Sequence, residues 1–262
     1  METSLEVLFT PADFDTLRER DLRETLCVVF DVLRATSSMV AALANGAEAI
    51  VPVIEIEEAL RIRQQQPDVL LAGERDGVRI PARLAGGIEF DLGNSPREFT
   101  RERVHGKTVV MTTTNGTRAL RACAQAAATL ICSFLNMTAT AEFIARSQPA
   151  RILLVCGGTY DQAAYEDILG AGALCDRVWP KYAAGAVADS ALACRRLFSL
   201  AGADLLAAVS ESRNARRLLA RPELADDVRL SIQHDLFNLV GGVARDGRIR
   251  KITDRGTGGR AA

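Results

Sequence analysis

Short apolar runs that end in small polar residues recur along this chain. Cys27-Val28-Val29-Phe30 leads into Asp31-Val32-Leu33-Arg34-Ala35-Thr36-Ser37-Ser38, and Val109-Val110-Met111 leads into Thr112-Thr113-Thr114-Asn115-Gly116-Thr117. Unbroken apolar runs of this length bounded by turn formers predict buried strands, and the alanine-rich stretches behind them predict helices. Ile50-Val51-Pro52-Val53 and Leu130-Ile131-Cys132-Ser133-Phe134 then supply a second strand for each unit. An offset of 81 residues lays Val28 on Val109, Arg34 on Asn115, Thr36 on Thr117 and Ile50 on Ile131. A third strand, Ile152 to Cys156, exits into Gly157-Gly158-Thr159. Three such exits are expected along the C-terminal edge of one sheet, where open α/β sheets bind their ligands.

The predicted fold class is therefore α/β, with two related strand-loop-helix-strand units, centred on 26–55 and 107–135, around a central cleft in mostly parallel or mixed sheets. The units divide the chain into 1–100 and 101–262, the second carrying a helical C-terminal extension, or fuse into one continuous globular domain. In that extension Ala183 to Leu200 reads as one long helix, and Leu205 to Leu219 as another interrupted at Ser212-Arg213-Asn214. Arg216-Arg217 reads as a solvated face or a partner contact, and Ile249 to Ala262 as a polar tail with a disordered end.

Composition narrows the function. An apolar share of 48% with only 5% aromatics suits alanine-rich helices packed on Val, Ile and Leu strands. A net charge of −1, without a Lys/Arg block, removes the electrostatic drive for nucleic-acid binding. No signal peptide or membrane span is indicated at the start, so a cytoplasmic protein is expected, and a homodimer on general grounds. The six cysteines lie singly in apolar surroundings and read as buried thiols. Cys156 sits at a strand end beside Gly157 but lacks the Cys-x5-Arg cradle of cysteine phosphatases.

The candidate chemistry sits at the strand exits. Asn115-Gly116 predicts a tight turn and Thr117 the cap of a helix whose first N–H groups face an oxyanion, with Thr114 adding a hydroxyl. Asp31, directly after a strand, can hold a hard divalent cation or close an Asx turn, while Arg34, Thr36 and Ser37 sit where oxyanions would bind. Glu74 is a metal ligand or a carboxylate that orients Arg34, and Asp76 is structural. Asn94 and Ser95 can donate to an anion or simply form a turn. Glu166 and Asp167 at a helix start can complete a magnesium site or stabilise the first turn.

Five segments then stand in order: Phe30 to Ser37, Leu71-Ala72-Gly73-Glu74-Arg75, Leu92-Gly93-Asn94-Ser95-Pro96, Thr112 to Leu120, and Glu166 to Ala173. They span residues 30 to 173, and in them the chain resembles the 2-phosphosulfolactate phosphatase (ComB-like) family. The resemblance implies a magnesium-dependent phosphatase that converts 2-phospho-3-sulfolactate to 3-sulfolactate and phosphate, a step of coenzyme M biosynthesis. The reading of the residues agrees, giving catalytic roles to Asp31, Arg34, Glu74 and Glu166 and Mg2+ to Asp31 with Glu166 or Asp167. On the same reading, substrate contacts fall to Thr36, Ser37, Asn94, Ser95, Thr114, Asn115, Gly116 and Thr117. The chain departs from the family pattern at Ala215, where a Ser-x-x-Gly-Arg segment often has glycine, and over Arg229 to Ile252, which bears on substrate more than on phosphatase chemistry. The same anion loops would also serve a non-catalytic small-anion binding or regulatory protein, or a transferase with a second substrate.

Overall fold

A computed structural model describes residues 2–253 except residue 18. The disordered end expected of the C-terminal tail falls on residues 254–262, which lie outside the described residues. In chain order the elements are β1 (Ser4–Leu8), α1 (Phe14–Leu17), β2 (Thr25–Phe30), α2 (Ala35–Ala44), β3 (Ala49–Val53), α3 (Ile56–Gln65), β4 (Leu70–Arg75) and β5 (Val78–Arg79). They continue with α4 (Arg101–Val104), β6 (Thr108–Thr112), α5 (Gly116–Ala122), β7 (Ala128–Cys132), α6 (Met137–Ser147), β8 (Arg151–Cys156), α7 (Tyr165–Tyr182) and β9 (Ala186–Val187). The C-terminal part holds α8 (Asp189–Ala201), α9 (Leu205–Ser210), α10 (Arg213–Leu219), α11 (Ala225–Ser231), β10 (Gly241–Val243) and β11 (Ile249–Lys251).

These strands form one mixed sheet in the order β5-β4-β6-β3-β11-β10-β7-β2-β8-β1-β9. Both predicted units are present, and they interlock. The first strand of one, β2, pairs in parallel with the second strand of the other, β7, and β3 pairs in parallel with β6. Between the two parallel blocks sits the hairpin β10-β11, antiparallel to β7 on one side and to β3 on the other. Three antiparallel steps reverse the sense of the strands, so β6 and β2 point opposite ways through the sheet. Twist of roughly 20–25° per strand pair accumulates to on the order of 100° over the steps between them. Their exits accordingly converge: a Cβ placed on Gly116 would lie 2.6 Å from the Ala35 Cβ and 2.8 Å from Asp31 Oδ2. The expectation of three exits on one C-terminal edge thus holds for the neighbouring parallel strands β2 and β8 but not for β6, which runs the other way and whose exit nonetheless lies against that of β2 at Gly116 and Ala35.

Helix α2 is buried from Ala35 through Leu43, which is why its sequence is apolar or small on every side. It packs on one face of the sheet, with Cys27, Val29, Ile131, Val109 and Met111 beneath the layer it shares with α5. The opposite face, with Phe30, Leu130, Ile152 and Leu154, carries α6, α7, α8 and α10. Gly170 lets α7 approach Phe30 of β2, where a Cβ would come within 3.0 Å of the ring. All six cysteines are buried and free, as expected.

Three boundaries differ from the sequence reading. The helix expected over 183–200 starts at Asp189, because the Ala186 N–H donates to Thr3 O (2.8 Å) and Ala186-Val187 joins the sheet beside β1. The interruption in 205–219 is a full break into α9 and α10, with Ser212 Oγ accepting from the Ala215 N–H and capping the second helix. Helix α5 begins at Gly116 with Asn115 at its N-cap, so Thr117 lies in the first turn instead of capping it. Among the described residues no helix is long and apolar enough to cross a membrane.

Candidate active site

At the exit of β2, Asp31 turns back on its own loop. Its Oδ1 accepts the Ala35 N–H (3.0 Å) and its carbonyl accepts the Thr36 N–H (2.9 Å), so this acid fastens the start of α2. Thr36, Ser37 and Thr117 are buried, and their hydroxyls donate to the carbonyls of Asp31, Val32 and Thr113. The Thr117 N–H is taken by Thr113 Oγ1 (3.3 Å). These threonines and this serine shape the two loops, and their hydroxyl protons point into the protein.

A cleft opens above the loops. Asp31, Arg34, Glu74, Asn94, Thr114 and Asn115 line it, six residues that the sequence brought forward. Glu74, at the end of β4, is held from three sides: Oε1 accepts the Thr114 N–H and Oγ1–H (both 2.9 Å) and Oε2 accepts the Gly77 N–H (2.8 Å). Glu74 therefore ties the β4 and β6 exits together. Arg34 is nearly wholly buried, with one guanidinium nitrogen on Asp227 (2.6 Å) and another on Gly77 O (2.6 Å). Its orienting carboxylate is thus Asp227 of α11, not Glu74. Ser95 donates to the same Asp227 (2.6 Å), which engages its hydroxyl. The Asn94 Oδ1 is buried with no protein partner, and its main chain carbonyl takes the Ser38 hydroxyl. Gly116 and Thr117 stand behind the cleft wall.

Glu166 and Asp167 start α7 and are both buried. Asp167 accepts the Val32 N–H (2.7 Å) and the Gly158 N–H (3.0 Å), joining the β2 and β8 exits. Glu166 Oε1 accepts from the Asn214 amide (2.6 Å), while Oε2 is buried without a partner. Burial pushes the Asp31 carboxyl up to about 7, with the charges of Glu74 and Glu166 adding to the rise and the Ala35 N–H opposing it. Burial also raises Glu166, against the Asn214 hydrogen bond. Asp167 is raised well above its ordinary value by burial and then by the charges of Glu166 and Asp31. Crowded acids of this kind lack positive charge, and a hard cation would supply it. Asp31 Oδ2 and Glu166 Oε2 are the oxygens left open for one. Among the described residues no three His, Cys, Asp or Glu side chains close on a single point. A cation that keeps several of its waters, as magnesium does, fits that sparse donor set.

Sequence reasoning missed the other wall of the cleft. Thr159, Tyr160, Asn214, Arg217, Leu218 and Arg221 form that wall, and Leu33, Gly77 and Asp76, the last read as structural, complete the lining. Four of the wall residues stand at i, i+3, i+4 and i+7, one face of α10 continued into the turn after it. That spacing was visible in the sequence, but the face is mostly polar and reads as solvated. Arg217, assigned to a solvated or partner-facing surface, is exposed yet borders the cleft. Asp227 gave no local signal, since it follows the exposed Asp226 in a polar segment.

An α/β sheet whose strand exits present buried acids to a cleft, faced by Arg217 and Arg221, suits an enzyme that handles small anions. The chain belongs to the 2-phosphosulpholactate phosphatase family, whose model matches residues 13–245. A protein of Caldanaerobacter subterraneus subsp. tengcongensis is 41% identical over 173 residues, 65% of this chain and 68% of its own. One of Thermotoga petrophila is 38% identical over 213 residues, 81% of this chain and 86% of its own. One of Pseudothermotoga lettingae is 36% identical over 248 residues, 94% and 99% of the two chains. Each is named a probable 2-phosphosulfolactate phosphatase. The chain is a phosphatase, a phosphoric monoester hydrolase.

Proposed function

We propose that the cleft hydrolyses 2-phospho-3-sulfolactate to 3-sulfolactate and phosphate and that it uses magnesium. The observation that carries this reading is the opposition of the Asp31 and Glu74 carboxylates to Arg217 and Arg221 across one cleft, with buried Glu166 held behind the cleft residue Asn214. A phosphate monoester brings two negative charges, and its hydrolysis adds charge to the ester oxygen as the P–O bond breaks. Magnesium on Asp31 and Glu166, with Asp167 bracing both loops behind them, would neutralise the nonbridging oxygens and the leaving oxygen.

The chain's own groups do the rest. Arg34, fixed by Asp227 and Gly77, sets a positive potential at the floor of the cleft without moving. The Asn94 and Asn115 amides orient the phosphoryl oxygens, and Glu74 keeps the Thr114 loop in place. Asp31 accepts a hydrogen bond from the attacking water and aims it at phosphorus. Leu33 occupies the position where aspartyl-phosphate enzymes carry their second acid, so direct attack by water is the step assigned.

The test is phosphate release by the purified protein from 2-phospho-3-sulfolactate, 2-phospholactate and phosphoglycolate, with magnesium and with EDTA. Fastest release from the first, lost in EDTA, is the expected result. No release from any of them by folded, magnesium-loaded protein would remove the reading, and undiminished release in EDTA would remove the metal from it.

A further inference from the structure

We propose that Arg217 and Arg221 form a separate subsite that binds the sulfonate of the substrate and so sets specificity; this rests on the reading of the cleft given above. Arg213, Arg217 and Arg221 follow one another at four-residue intervals along α10 and the turn after it. Like charges at that spacing repel, and surface arginines elsewhere in this chain relieve such charge with carboxylates, as Arg20 does on Glu6 and Arg250 on Asp246. None of these three makes a salt bridge among the described residues, and only Arg213 acts on a carboxylate, that of Glu166, at longer range. Arg213 is held by Gln162 (2.7 Å) and Thr159 O (3.2 Å), and Arg221 reaches Asp76 O at 3.4 Å. Arg217 makes no hydrogen bond or ion pair among the described residues, and it lines the cleft.

The cleft thus has an acidic side built by Asp31 and Glu74 at the β2 and β4 exits and a basic side built by α10 and the turn after it. Of the three anions of 2-phospho-3-sulfolactate, the phosphate would lie near the acids and their cation and the sulfonate against the arginines, with the carboxylate between them. A sulfonate stays ionised at every working pH and offers three oxygens, which a guanidinium can grip in a planar fork. The Thr36 and Thr117 hydroxyls, by contrast, are already spent on backbone carbonyls and leave that anion no donor there. The basic face also lies in the part of the chain where Ala215 departs from the family pattern. Ala215 is buried on the core side of the helix, so the departure leaves the arginine face in place.

Two measurements separate this subsite from the reaction it serves. In the first, Arg217→Ala, Arg221→Ala and the double variant are compared on 2-phospho-3-sulfolactate and on 2-phospholactate, which keeps the carboxylate and lacks the sulfonate. Exposed Arg216→Ala, outside the cleft, is the control. The double variant should raise KM for the sulfonated substrate roughly ten- to a hundredfold, the scale of lost charge-assisted hydrogen bonds, with kcat little changed. KM for 2-phospholactate should stay as it was. Equal losses on both substrates, or none on either, would overturn the proposal. In the second, 3-sulfolactate binding is measured by calorimetry, which needs no turnover. Binding to the wild type that the double variant loses supports the subsite even if neither ester is hydrolysed, in which case the phosphatase reading alone fails. Absent binding, or binding the double variant keeps, overturns the subsite.

Discussion

Ala35 and Gly116, 81 residues apart and equivalent in the two repeated units, meet at the first turns of α2 and α5. A Cβ on Gly116 would stand 2.6 Å from the Ala35 Cβ and 2.8 Å from Asp31 Oδ2. Both contacts are shorter than real Cβ atoms tolerate, and both neighbours are fixed by the helix and the loop.

Gly116→Ala should therefore push the two helix starts apart. Overpacking of this kind costs about 1–3 kcal/mol. Denaturant unfolding should register that loss, and phosphate release should fall with it because Asp31 is displaced. Unchanged stability and turnover would mean that the helix starts can part without consequence.

Asp31→Asn keeps the shape of the side chain and leaves an amide oxygen to accept the Ala35 N–H. It removes the charge that a cation requires. Folding should persist while magnesium-dependent phosphate release drops by at least about a hundredfold, the scale of a lost electrostatic group in a closed site. Near-normal turnover at saturating magnesium would take Asp31 out of the chemistry.

Stability without metal should respond to the same acid. An aspartate titrates near 3.9 in the unfolded chain, whereas burial places Asp31 at about 7 in the folded one. Between those values the folded state holds a proton that the unfolded state has released. The stabilisation is therefore complete below the unfolded value and is lost as pH rises towards 7. In EDTA, Tm should fall between pH 5.5 and 7.5, Asp31→Asn should flatten the slope, and magnesium should recover stability at the upper end. A wild-type slope that the substitution leaves intact would place the titration elsewhere.

The sequence carried the repeated units because each strand is a continuous apolar run and each exit a cluster of small polar residues. Asp31, Arg34 and Glu74 were legible for the same reason, as charges directly after buried segments, and Glu166 as an acid in the first turn of a helix. The centre of the sheet was not. Its hairpin consists of Gly241-Gly242-Val243 and Ile249-Arg250-Lys251, too short and too polar to show a strand period. The glycines are there for close approach, since a Cβ on Gly241 would meet Ile131 at 2.7 Å and one on Gly242 would meet Ile252 at 2.7 Å. Thr36 and Thr117 were read as open donors because a sequence does not show that a hydroxyl has already found a carbonyl.

Asp227 tests how far the C-terminal helices support the cleft. Its carboxylate is wholly buried and takes Arg34 (2.6 Å), Ser95 (2.6 Å) and Arg97 (2.8 Å) together. Asp227→Ala would leave the Arg34 guanidinium buried without a counter-charge, and breaking one side of such a pair costs about 3–5 kcal/mol. Arg97→Ala is the comparison. Arg97 is 39% exposed and its removal leaves Asp227 with two donors, so screening by solvent holds its cost to about 1 kcal/mol or less. Urea midpoints should separate the two variants widely. Turnover of Asp227→Ala, measured where it remains folded, should fall as well, because Arg34 would lose one of the two fixed partners that keep it on the cleft wall. Matching small losses in both variants would show that Arg34 keeps its place without Asp227.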